Sequence, residues 1–147
     1  MQLGVRKIEH IPADAVHDYS ALAPGSSFDL AGFVKSGRSF TELPFLPETA
    51  DFADKRSFDE SGILSKVNFS ASIRKNKEQY RSILQKLTGR RNIWRITLIS
   101  GVKYIIGSPA YVPLFTWDDG VSGISSSEFN LSIECESRHG VYLDVSL

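Results

Sequence analysis

The 147-residue sequence predicts an α+β, mostly β fold: an antiparallel β-sandwich or partly open barrel carrying one main amphipathic helix at about residues 77–88. Three observations lead there. Lys66 to Ile73 and Phe129 to Cys135 alternate apolar and polar residues, the period of a half-buried strand. Tyr80, Ile83, Leu84 and Leu87 fall at the i, i+3, i+4, i+7 spacing of one helix face. On either side of Ser100-Gly101, Ile93 to Ile99 and Val102 to Ile106 are rich in β-branched and aromatic residues, the composition of a hairpin.

In chain order, Leu3 to Ile8 reads as a strand, Pro12 to Leu22 as the start of a short helix, and Pro24-Gly25 as its end. Phe28 to Val34 reads as another strand. Gly37 to Gly62 mixes Pro44, Pro47 and four phenylalanines with many charges and shows no period, so it is expected to be a long loop or extended arm. Val67, Phe69, Ala71 and Ile73 form the apolar face of the strand that follows. Asn76 is placed as N-cap of the helix with Gln79 three residues on, and Gly89 as its left-handed stop. Gly107 to Ser127 is a long loop with anchored aromatics and room for one short strand. The alternating strand at 129–135 and Val141 to Val145 are expected to pair as a second hairpin across a Ser137-Arg138-His139-Gly140 turn.

Residues 1–147 fit a single domain. No long apolar run follows the basic residues of MQLGVRKIEH, and no stretch approaches membrane-spanning length, so a cytosolic protein with no membrane partner is expected. The lone Cys135 excludes an intrachain disulfide framework.

The chemistry-bearing residues are few. Cys135 and His139 read as a core thiol and a turn histidine rather than a nucleophile and its base. His10, Asp14, His17 and Asp18 would converge on one helix face as metal ligands, but Pro12 would start that helix after His10. Asp118 and Asp119 beside Trp117 are adjacent in the chain, whereas an acid pair in a hydrolase normally comes from different elements, so a turn is expected. Phosphate-loop, dinucleotide-binding, nucleophile-elbow and zinc-protease motifs are absent. The expectation is no enzyme, no cofactor and no metal site.

Charge is uneven although it sums to zero. Lys66 to Arg95 holds nine basic residues and one acid, Glu78, a balance of +8. Glu42 to Glu60 and Asp118 to Asp144 each hold six acids. The basic block admits three readings: a solvated helix face, a nucleic-acid surface using Lys75, Lys77, Arg81, Arg90 and Arg91, or one side of an electrostatic contact between copies of the chain.

SKVNFSASIRKNKEQYRSILQKLTGRRNIWRITLISGVKYIIGSP, with the closing FNLSIECESRHGVYL, resembles the structural proteins of bacteriophage and prophage tails over residues 60–147. The resemblance is to tail-tube, tail-terminator and distal-tail proteins, which join a β-sandwich or barrel to one helix and assemble as rings. It implies a homo-oligomeric ring or tube, other tail proteins as partners, DNA passing through the lumen, and a location first in the bacterial host cytoplasm and then in the virion tail. The interface residues expected on this reading are Phe45, Phe52 and Phe58 of the arm, with Arg90 and Arg91 as charge partners.

Overall fold

The structure is a computed structural model and describes residues 4–19, 27–60, 62–74, 78–109, 112–118, 128–137 and 142–145. Two sheets carry the fold. The first contains β1 (Val5–Pro12), β2 (Ser27–Phe28), β3 (Thr41–Leu43), β6 (Asn92–Leu98), β7 (Lys103–Ile106) and β10 (Tyr142–Asp144), in the order β2-β10-β7-β6-β1-β3. The second contains β4 (Asp51–Asp59), β5 (Gly62–Arg74), β8 (Leu114–Asp118) and β9 (Glu128–Ser137), in the order β4-β5-β9-β8. All pairings are antiparallel except β10 with β2.

The alternating segments become the strands they predict. Val67, Phe69, Ala71 and Ile73 of β5 and Phe129, Leu131, Ile133 and Cys135 of β9 are all buried, and they stand opposite one another in register. They meet Val5, Ile8, Leu43, Trp94, Ile96, Leu98 and Ile106 of the first sheet in one shared core. That makes a β-sandwich. Trp94 bridges its two layers, stacked on Phe115 with ring centres 5.3 Å apart.

The helix α1 (Glu78–Leu87) packs Leu84 and Leu87 into the same core, with Tyr80 and Ile83 partly covered beside them. Gly89 ends it at φ +80, a conformation that is strained for any residue with a Cβ. Asn76 lies outside the described residues. Trp117 donates its indole N–H to Thr88 Oγ1 at 2.9 Å, tying the helix end to β8. The β6–β7 turn uses Gly101 at φ +94, as its sequence requires.

Four expectations are corrected. Residues 13–15 form only a short 3-10 turn rather than a helix, because Val16 leaves it in extended geometry and bridges to Val34. Phe28 to Val34 is a two-residue strand and a second 3-10 turn, Leu30–Phe33, capped by the Asp29 carboxylate on the Ala31 N–H. The 37–62 segment is not a loop or free arm: β3 joins the first sheet, and β4 pairs with β5 over nine successive positions. Finally, β9 and β10 are not a hairpin. The chain leaves β9 in the second sheet and enters the first, where β10 inserts between β7 and β2.

That crossover matters because the first sheet is covered on both faces. The burial of β6 is nearly continuous, as expected for a strand with no solvent side. Its even positions face the sandwich core. Ile93, with Ile11, Ile105 and Tyr142, faces a second core built from residues 13–19 and 28–34. Tyr19 packs there against Phe28, Phe33 and Tyr142, and donates its hydroxyl to the Gly107 carbonyl at 2.6 Å. Burial raises the Tyr19 pKa far above the ordinary phenol value, with the neighbouring Tyr142 adding to the shift, so the hydroxyl stays protonated.

Arg95 sits on that same outer face. Its Nε and one terminal nitrogen grip both oxygens of Glu9 on β1 at 3.1 and 3.0 Å, and the other terminal nitrogen reaches Asp144 on β10 at 2.8 Å. Phe40 lies over the guanidinium with its ring centre 4.1 Å away. Burial opposes the Arg95 charge, but the bonds to Glu9 and Asp144 outweigh it and raise the pKa. The other Asp144 oxygen accepts the Leu30 N–H at 3.1 Å, fastening the second 3-10 turn to the sheet.

Two stability tests follow from this packing. Leu84→Ala empties a fully buried site and should cost about 2–5 kcal/mol in denaturant unfolding. Arg95→Met takes the guanidinium from Asp144, whose side chain has no solvent exposure, and leaves Glu9 only Lys7 at 3.8 Å; it should cost about 3–5 kcal/mol at neutral pH. Arg95→Lys should recover only part of that loss, because an ammonium cannot reproduce the fork.

Candidate functional site

Two surface features stand out, and each contains residues singled out in the sequence. The first is the far half of the β4–β5 pair. Core burial in these strands ends at the Asp54–Val67 pair. Beyond it, Lys55, Ser57, Glu60 and Lys66 are exposed and Phe58 is 84% exposed. On β4, Phe58 shares the parity of Phe52, so it lies on the face that nearer the sandwich forms the core.

This separates the three phenylalanines. Phe52 is 5% exposed and stacks on Tyr104 across the sandwich, with ring centres 5.3 Å apart, so it is a core residue and not an interface one. Phe45 is partly buried against the same core. Only Phe58 is exposed as expected of an interface residue.

The second feature is an open cleft of about 700 Å³ on the side of the first sheet where α1 runs into β6. Arg90 and Arg91 form one wall, and Lys35 and Arg38 form another. The first 3-10 turn and the residues after it, including Asp14, His17 and Asp18, form a third side, and Asn92 and Pro109 complete the lining. Three backbone hydrogen bonds lock these segments together. Ala13 N–H donates to the Arg91 carbonyl at 2.8 Å, Lys35 N–H to Ala15 at 2.8 Å, and His17 N–H to Phe33 at 2.7 Å.

Arg38 pairs with Asp14 at 3.3 Å. Arg91 spends one N–H on the Pro109 carbonyl at 3.1 Å. Among the described residues, the side chains of Arg90 and Lys35 have no hydrogen-bond or ion-pair partner. Sequence reading finds Arg90 and Arg91 through their basic block. It misses Lys35 and Arg38, since only the Val16–Val34 bridge and the bonds around it carry them to the cleft.

The remaining candidates disperse. Lys75 and Lys77 lie outside the described residues, as do His139 and Asp119. Arg81 is on α1 over the Phe129 ring, 5.2 Å from its centre. Cys135 is buried in the sandwich core. His10 and Asp14 cannot stack on one helix, because His10 belongs to β1 and packs on Trp94, with ring centres 5.2 Å apart. Among the described residues no three His, Cys, Asp or Glu side chains are grouped to hold a metal ion. Asp118 ends β8 and accepts a long bond from Asn130 at 3.4 Å. Among the same residues, no helix is long and apolar enough to cross a membrane.

His10 links the core to the cleft electrostatically. Burial lowers its pKa below 6.5, and the charge of Arg90 lowers it further. The unfolded chain therefore binds the proton more readily. The stability His10 confers as a neutral ring is complete above pH 6.5 and is lost as the pH falls from 6.5 through the lower folded value. Urea midpoints measured from about pH 7 down to about pH 5.5 should fall less steeply for His10→Gln than for the unsubstituted chain.

No family model, curated protein or solved structure matches this chain.

Proposed function

We propose that this protein is a structural subunit of a phage or prophage tail, assembling with copies of itself into a ring or tube and acting by contact rather than by catalysis. The observation that carries this reading is the overshooting β4–β5 pair. Its inner face continues past the sandwich with Phe58 uncovered, and β4 is an edge strand of nine residues. An edge of that length, next to an exposed phenyl ring, is a template for pairing in a free monomer. The edges of the first sheet are much shorter, with two residues in β2 and three in β3.

A neighbouring subunit that pairs along β4 and covers Phe58 removes both liabilities at once. Covering the ring is worth about 1.5–3 kcal/mol, or roughly ten- to a hundredfold in subunit affinity. Charges beside it, including Lys55 and Glu60, would set the register of the contact without adding much affinity. Excising the whole 43–57 segment would be uninformative, because Leu43, Ala50 and Phe52 belong to the core.

The decisive variant is Phe58→Ser, which removes nothing from the folded interior. Light scattering coupled to size exclusion, over a concentration series at low and high salt, should show discrete oligomers for the unsubstituted chain. The same concentrations of Phe58→Ser should be largely monomeric, with an unchanged circular dichroism spectrum. A chain that stays monomeric throughout and shifts only when duplex DNA is added would replace this reading with that of a nucleic-acid-binding module.

A further inference from the structure

We propose that the cleft between Lys35, Arg38, Arg90 and Arg91 is a binding site for phosphate groups. Four cations from two distant stretches of sequence converge there on Asp14 and Asp18, so that lysines, arginines and aspartates leave a lining charge of +2 (four minus two). Concentrating like charge is unfavourable unless an anion neutralises it. The carboxylates of the cleft neutralise only part of it, because Asp14 is taken up by Arg38, while Arg90 and Lys35 keep their donors free among the described residues.

The backbone of the walls is also fixed before any ligand arrives. Backbone bonds hold the 13–17, 33–35 and 91 segments in one frame, and the Pro109 carbonyl orients the Arg91 guanidinium while using one of its N–H groups. A backbone frame set in advance reduces the entropy lost on binding. Guanidinium forks match the paired oxygens of a phosphate, and a terminal phosphate carries about −1.5 to −2 at neutral pH, close to the opposite of the lining charge. The cleft volume of about 700 Å³ is that of a small-molecule site rather than of a lone ion.

The same chemistry could be presented by a terminal phosphate or by the diester backbone of a nucleic acid. Calorimetric titration of the full chain distinguishes them with three probes: inorganic phosphate, adenosine 5′-monophosphate, and a single-stranded oligonucleotide with a 5′-hydroxyl end. Binding of at least one probe is expected. The double variant Arg90→Gln/Arg91→Gln should weaken it by at least about tenfold. Lys35→Gln on the opposite wall should weaken the same probe, whereas Lys86→Gln, an exposed cation on α1 that does not line the cleft, should leave it unchanged.

Response to the first two probes identifies a terminal-phosphate site, and response to the oligonucleotide alone identifies a backbone site. The proposal is overturned if no probe binds at about millimolar concentration. It is equally overturned if Lys86→Gln weakens binding as much as the cleft variants, since that would mark diffuse surface charge. The measurement does not depend on self-assembly and can be made in the Phe58→Ser background.

Discussion

Arg95 stands on the strand at the middle of the six-stranded sheet, where its side chain keeps only 15% of its exposure to water. A cation in that position is tolerable only if its charge and its donors are both answered. Glu9 answers from β1 on one flank of β6 and Asp144 from β10 beyond the other, and Phe40 closes over the top. The consequence reaches well beyond the ion cluster. Asp144 also holds the Leu30 amide, so the 3-10 turn that roofs this face is placed by the same carboxylate. The segment that follows that turn brings Lys35 and Arg38 to the basic cleft.

How much of this was readable depended on whether each element expressed its environment locally. The helix did, because one apolar face and a stop glycine are properties of about a dozen neighbouring residues. So did β5 and β9, each with a single buried face. β6 gave a run of β-branched residues without alternation, which is the mark of a strand covered twice, and the layer that covers it was not recognisable as such. Among the described residues that layer is made of 3-10 turns and a two-residue strand, elements too short to impose any period.

The aromatic stretch before β5 hid its strand for another reason. Phe52 and Phe58 lie on one face of β4, but the sequence places Asp54 and Arg56 between them on the same parity, and the alternation is lost. The pattern breaks at the Asp54–Val67 pair, where core burial ends, so the break carried real information about the end of the core. Pairing partners were invisible in a different way. Alternation in residues 129–135 and β-branched residues near the end of the chain say that two strands exist, and say nothing about which sheets they join. The site followed the same logic: Arg90 and Arg91 announced themselves as neighbours in sequence, while their companions across the cleft depended on the fold.

The passage of the chain from β9 into the first sheet bears on how the molecule is made. Several ties of the outer layer join residues remote in sequence: Glu9 to Arg95 over 86 positions, Tyr19 to Gly107 over 88, and Leu30 to Asp144 over 114. Closing such long loops is entropically costly and slow, so these contacts belong late in folding. On the ribosome, the N-terminal strand and its turns emerge long before the carboxylate that fastens them. Until residues 142–144 have been synthesised, the outer face of the central strands lacks its closing strand, and nascent chains can meet there before the native partner does.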